Sequence, residues 1–167
     1  MEEQEKCLAM TPISSPNLLV VDANILISIS SKEALTHTIA ESELKTYAHN
    51  GWEVVAPHII VAEGMFALCQ KFAAGVLTQL DYEKAIDDFN NYLKAIEMPL
   101  NDAVLMKRAV EIRENYGCSR SSDGLYIALA EELSKTANVE ILTFDKGFTN
   151  QIANNAPTVK LNLLTIY

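Results

Sequence analysis

Four carboxylates in this chain stand in apolar surroundings, and their types and positions suggest joint chemistry. Asp22 ends the run LLVVD and Asp145 ends ILTFD. Glu63 is the sole Asp, Glu, Lys or Arg in VVAPHIIVAEGMFALCQ, from Val54 to Gln70. Asp123 opens SSDGLYIALAEELSK, where the next charge is Glu131. A buried, unpaired carboxylate costs several kcal/mol or is forced neutral. Glu63 has no Lys or Arg three or four residues away to pair with it on a helix. Its compensation must therefore come from a cation on another element or from a bound metal. Each acid also has a plainer reading. Asp22 or Asn24 would cap the next helix, and Glu63 would emerge at a helix edge. Asp123 would suit the positive end of its helix, and Asp145 would form a turn with Lys146 and Gly147.

As a set the four favour a metal. Clustered carboxylates raise one another's pKa unless a cation lies among them. Oxygen ligands with open positions select Mg²⁺ or Mn²⁺. Such an ion generates a hydroxide and stabilises a phosphodiester transition state. No motif competes: the chain has no phosphate-cradling glycine loop, no GxSxG and no CxxC. His37, His49 and His58 are too scattered for a zinc site.

The elements that must position these acids can be read from periodicity. Leu18 to Val21 is a short strand buried on both faces, and Ile25, Leu26, Ile27 and Ile29 continue the apolar surface after it. Lys32 to Asn50 is expected as a helix presenting Leu35, Ile39 and Leu44, closed by Gly51. Trp52 to Ala56 reads as a second strand, and Pro57 begins a helix to about Phe72. That helix is apolar all round, which predicts that it is largely buried. After a polar break from Gly75 to Asp81, Ile86, Phe89, Leu93 and Ile96 keep helical spacing. Pro99 interrupts. A helix from Asp102 to Tyr116, ended by Gly117, presents Leu105, Ala109, Ile112 and Tyr116. The SSDGLYIALAEELSK helix follows, with Ser121 or Ser122 as its cap. Val139 to Phe144 is a strand, Lys146 to Asn154 a short helix, and Val159 to Leu164 a last strand. Alternating strands and helices imply an α/β fold with a parallel sheet between helices. Parallel strands then carry Asp22 and Asp145 to one sheet edge, where open α/β folds place their ligands.

The totals narrow the class. The 167 residues suit one domain with a sizeable core, and 49% are hydrophobic, so the chain is globular. Met1 to Pro16 has no periodicity and reads as a loose lead-in before a single domain over 17–167. No apolar run approaches membrane-spanning length, and the acidic start lacks a secretory pattern. Cys7, Cys69 and Cys118 are odd in number and widely spaced, which suggests reduced thiols in a cytoplasmic protein. The net charge of −9 argues against bulk nucleic-acid binding but suits a basic protein partner.

The segments LLVVDANILIS, VAPHIIVAEGMFAL, SSDGLYIALAEEL and ILTFDKGF, in that order, resemble those of PIN-domain nucleases, and within that family the VapC-like toxins. SSDGLYIALAEEL followed by LTFDKGF is the most specific pair, and the likeness spans about Asn17 to Leu164. It implies a three-layer α/β/α PIN-like fold around a central parallel sheet of four to five strands. It makes Asp22, Glu63, Asp123 and Asp145 the acidic quartet that holds Mg²⁺ or Mn²⁺ for RNA hydrolysis. Asn24 and Thr143 fall where supporting polar residues often stand. Gly124 takes a place where relatives commonly carry Ala, a change expected only to loosen that helix start.

The expected activity is that of a metal-dependent endoribonuclease. Asp22, Asp123 and Asp145 would hold the ion, with Glu63 as a further ligand or as the residue orienting the attacking water. Arg120 and Lys146 flank the late aspartates and would contact phosphate, or serve only as surface cations. The resemblance also implies a homodimer, and a toxin would be silenced by a small basic antitoxin. The helix from Tyr82 to Ile96 and its neighbour from Asp102 to Tyr116 would form a groove for it, or their apolar stripes would simply be core. A free-standing RNA-processing enzyme, or a catalytically idle PIN domain that binds protein or RNA, are the alternatives. A phosphatase or receiver-like site at Asp22 would need a second Asp where Asn24 stands.

Overall fold

The structure, a computed structural model, describes residues 15–114 and 122–166. Most of the expected lead-in, together with Tyr116, Gly117, Arg120 and Ser121, lies outside the described residues. Strand β1 spans Asn17–Val21, and Leu19, Val20 and Val21 have no exposed surface. Successive strand residues point to opposite faces. Three consecutive buried residues therefore mean that both faces are covered, as parallel sheets require.

Strands β2 (Glu53–Val55), β3 (Asn138–Thr143) and β4 (Lys160–Leu163) complete a sheet of order β2-β1-β3-β4, parallel throughout. Val20 lies between Val55 and Ile141, and Val21 opposes Leu142. The ladder runs one step further, since Asp22 N donates to Leu142 O at 3.0 Å. The carboxyl ends of the two central strands thus open side by side.

Helices α1 (Ala23–Ser30), α2 (His37–His49), α3 (Ile59–Ala73) and α4 (Gln79–Lys94) form one packed group, with α1 touching the other three. Helix α5 (Asp102–Glu114) packs on α6 (Ser122–Leu133), which lies on β1 and β3, and α7 (Gly147–Asn155) packs on β4. Among the described residues no helix is long and apolar enough to cross a membrane.

Several boundaries differ from those expected, each for a local reason. Helix α2 starts at His37, so Leu35 lies in the preceding turn and is 69% exposed. Ala40 and Tyr47 are the buried residues of that helix. Helix α4 begins at Gln79 because Thr78 caps it, its Oγ1 accepting from Asp81 N at 3.2 Å. Ile96 follows that helix's end, where Glu97 makes a parallel bridge to Val55. Helices α4 and α5 were expected to wall one groove. Instead α4 packs on α1 and α3, while α5 packs chiefly on α6.

Helix α3 departs furthest from expectation. Its apolar sequence predicts a largely buried helix, yet Val61, Met65 and Phe66 are exposed, as is Cys69. Ile60, Gly64 and Leu68 form its buried side. Gly64 allows the close approach of α4: a Cβ there would stand 1.9 Å from Cζ of the Phe89 ring. Asp102 fixes the helix start, accepting from His58 N at its Oδ1 and from Ile59 N at its Oδ2, both at 2.8 Å. Two otherwise unpaired amides are met by a carboxylate at the positive end of the helix.

Candidate active site

Asp22 occupies the N-cap position of α1 but makes no side-chain capping hydrogen bond. The Asn24 backbone amide favours its charged form only as the smallest of the influences on it, so capping alone does not account for Asp22. Its Oδ2 instead accepts from Thr143 Oγ1 at 2.6 Å and from Asn24 Nδ2 at 2.6 Å. Thr143 is wholly buried at the end of β3 and is shared: its Oγ1 also accepts from Asn24 Nδ2 at 3.0 Å and from Asp145 N at 2.9 Å. Asn24 Oδ1 in turn accepts from Phe144 N at 3.2 Å. Asn24 and Thr143 thus lash the ends of β1 and β3 together beneath Asp22. Burial pushes the Asp22 carboxyl up to about 7, opposed by the Thr143 hydroxyl and reinforced by the charges of Glu63 and Asp123.

The other three acids come from three different elements. Asp145 follows β3 and turns back on the start of α7, its Oδ1 accepting from Gly147 N at 2.7 Å. The turn-forming role is therefore real, and it leaves the carboxylate at the same sheet edge as Asp22. Asp123, in the first turn of α6, accepts from Gln151 Nε2 at 3.2 Å, and Arg113 Nη1 lies 3.9 Å away. Its pKa is raised, first by burial and then by Asp145 and Glu63, against the pull of Gln151 and Arg113. Glu63 projects from the middle of α3 and accepts from Tyr126 Oη at 2.5 Å. Tyr126 is buried in α6, and burial followed by the charges of Asp22 and Glu63 keeps its phenol firmly protonated as a donor. The partner that the fold gives Glu63 is thus a hydroxyl from another element and not a side-chain cation.

Asp22 feels the charges of Glu63 and Asp123, and Asp123 feels those of Asp145 and Glu63, with Asn24 and Thr143 hydrogen-bonded to Asp22. The structure does not draw the four acids to a point: among the described residues no three His, Cys, Asp or Glu side chains form a closed ligand cluster. Each acid is held by a donor of its own, which keeps the like charges apart. Lys146 is exposed beside Asp145. Arg120 lies outside the described residues. Sequence reasoning missed Tyr126, Gln151 and Arg113. All three reach the acids from helix positions that look like ordinary core or surface, so no local signal marks them.

Gly124 also carries more than expected. A Cβ there would lie 2.6 Å from Ala109 O and 2.8 Å from Arg113 Cγ. Glycine at this position closes the packing of α5 on α6, which is more than a loosened helix start.

An all-oxygen donor set at one sheet edge fits a hard divalent cation. The carboxyl of Asp22, displaced towards its neutral form, is a group whose charged form such a cation would restore.

Comparison with known families agrees with this architecture. Residues 19–152 match the PIN domain, and the chain belongs to that family, whose members are generally nucleases that use divalent metals. Among solved structures the chain is similar to the crystal structure of VapBC2 from Rickettsia felis bound to a DNA fragment from their promoter. The identity is 14% and the TM-score 0.59, with 87% of this chain and 98% of that one covered. That likeness concerns the fold. Comparison with curated proteins gives no match.

Proposed function

We propose that the chain is a metal-dependent endoribonuclease in which Asp22, Asp123 and Asp145 would hold Mg²⁺ or Mn²⁺ and Glu63 serves as a further ligand or orients the attacking water. The observation that carries this reading is the buried Asp22 carboxyl, tied to both central strands and raised to about 7 among Glu63 and Asp123. A fold that invests Thr143 and Asn24 in holding a disfavoured charge at a sheet edge supports a site built for a cation. The ion, when bound, lowers the pKa of a water and neutralises charge on the scissile phosphate. Tyr126 holds one oxygen of Glu63, which leaves its other oxygen to orient a water. Gln151 fixes Asp123, and the Gly147 amide fixes Asp145. Lys146, and Arg120 beyond the described residues, are the proposed phosphate contacts.

The test is cleavage of single-stranded and structured RNA with Mg²⁺ or Mn²⁺. Asp22→Asn and Asp123→Asn are expected to lower the rate at least about 100-fold while remaining folded. Cleavage by both variants at the wild-type rate would attribute the activity to a contaminant.

The toxin reading draws its support from the likeness to VapBC2. In it the chain acts in the cytoplasm as a homodimer silenced by a small basic antitoxin, whose Arg or Lys would reach the carboxylates. The apolar residues that α3 and α5 expose, including Met65, Phe66 and Met106, are available for such assembly. Co-purification with a basic protein encoded next door supports this reading. Its absence favours a free-standing RNA-processing enzyme. Loss of all cleavage with partner binding intact favours an idle binding module.

A further inference from the structure

Arg113 is an arginine of the interior. It stands in the last turn of α5, is 4% exposed, and holds Nη1 3.9 Å from Asp123 Oδ2. At that depth it is placed to act on Asp123 and not on a substrate phosphate. Buried guanidinium groups persist where an anion balances them, and this anion already feels the charges of Asp145 and Glu63.

Gly124 is what admits the arginine. The 2.6 Å and 2.8 Å approaches of a Cβ there would be to backbone oxygen of α5 and to the arginine stem itself. The carbonyl of Ala109 cannot rotate away as a side chain can. Glycine inside a helix is unfavourable on propensity alone, so its presence beside Asp123 is explained by this packing.

We propose that Arg113, admitted by Gly124, is a resident cation of the carboxylate site. It positions Asp123 and supplies part of the positive charge that a divalent ion would otherwise provide, so that the ion is held less tightly than by the acids alone. The charge-sharing half rests on the metal-site reading above, whereas the packing half rests on α5 and α6 only. Arg113 is a positioning residue acting through Asp123.

The test uses the full chain, melted free of metal in EDTA and titrated with Mn²⁺ by the electron paramagnetic resonance of the free ion. Arg113→Met is expected to lower the metal-free Tm yet bind Mn²⁺ about tenfold more tightly, because a nearby positive charge has gone. Arg113→Lys should return both readouts towards wild type. Arg113→Gln is expected to act in the same direction as Met and keeps the test open if Arg113→Met does not fold. Gly124→Ala should lower the metal-free Tm, although alanine normally favours a helix, and should tighten Mn²⁺ binding by displacing the arginine.

Weaker or unchanged Mn²⁺ binding in the Arg113 variants would overturn the charge-sharing role, since a merely structural arginine loosens the site when removed. A raised Tm in Gly124→Ala would overturn the packing role. If the wild type takes up no Mn²⁺, the metal-site reading fails and charge sharing with it. The metal-free melts of Gly124→Ala still decide the packing role.

Discussion

At Asp22, burial and hydrogen bonding pull in opposite directions. Removal from water disfavours the carboxylate, whereas the Thr143 hydroxyl favours it, and burial prevails to leave the pKa near 7 against an ordinary 3.8. A folded-state value above the unfolded one means that the native protein binds the extra proton. The stability this group contributes is therefore fully present below about pH 4 and is lost as pH rises through about 7. The metal-free protein should lose stability across that window, by an amount on the order of 4 kcal/mol for Asp22 alone. Asp123, shifted in the same direction, adds to the trend. Denaturant melts from pH 4 to 8 in EDTA check this, and Asp22→Asn should flatten the curve and be the more stable protein at pH 8. A wild-type curve that rises with pH would mean the site is not desolvated as the structure places it. Asp22 and Asp145 were legible because each ends an apolar strand. Glu63 was legible as the lone charge in its stretch, although the helix that carries it exposes more apolar surface than that stretch implies. The donors holding these acids were not legible, since Tyr126, Gln151 and Arg113 act across the fold from positions with no local signature.

Among the elements, α3 has the most exacting placement, because it carries Glu63 yet leaves a large part of its surface exposed. Two features locate it: the Asp102 cap at its start and the contact of Gly64 with the Phe89 ring. Gly64→Ala pushes a methyl into that ring and should destabilise the protein by about 1–3 kcal/mol despite the better helix propensity of alanine. Phe89→Leu in the same chain should recover part of the loss, since it removes the ring atoms that the methyl meets. Thermal melts of the two single variants and the pair provide the check, and a Gly64→Ala protein as stable as wild type would mean that α3 and α4 can part without cost. Strands were easier to read than such helix contacts. A buried parallel strand is an apolar run whichever face it shows, so Leu18 to Val21 and the stretch from Val139 needed no orientation to be assigned. A helix needs its direction of burial as well. The all-apolar look of α3 concealed that, and at Leu35 the apolar spacing ran on into a turn.

Across the whole molecule the sign of the charge is at odds with the proposed substrate. A chain of net charge −9 meets a polyanion, and its cations are few and partly engaged: Arg108 is held by Glu131 and Glu111, and Arg113 is buried beside Asp123. Proteins that bind nucleic acid through many Lys and Arg contacts lose affinity steeply with salt, because each contact releases a counterion. Here few such contacts are available, and repulsion between protein and RNA is itself screened as salt rises. The KM for RNA cleavage should accordingly change little, or fall, between low salt and ~0.15 M, where the Debye length is about 8 Å. Lys146, exposed beside Asp145, is the exception, and Lys146→Gln should raise KM a few-fold at low salt with little effect on kcat. Initial rates at fixed Mn²⁺ across a KCl series measure both effects. A steep rise of KM with salt in the wild type would show that more phosphate contacts than Lys146 and Arg120 hold the RNA. A flat response leaves the metal to bring enzyme and phosphate together, which is the role that an acidic protein acting on RNA would have to give it.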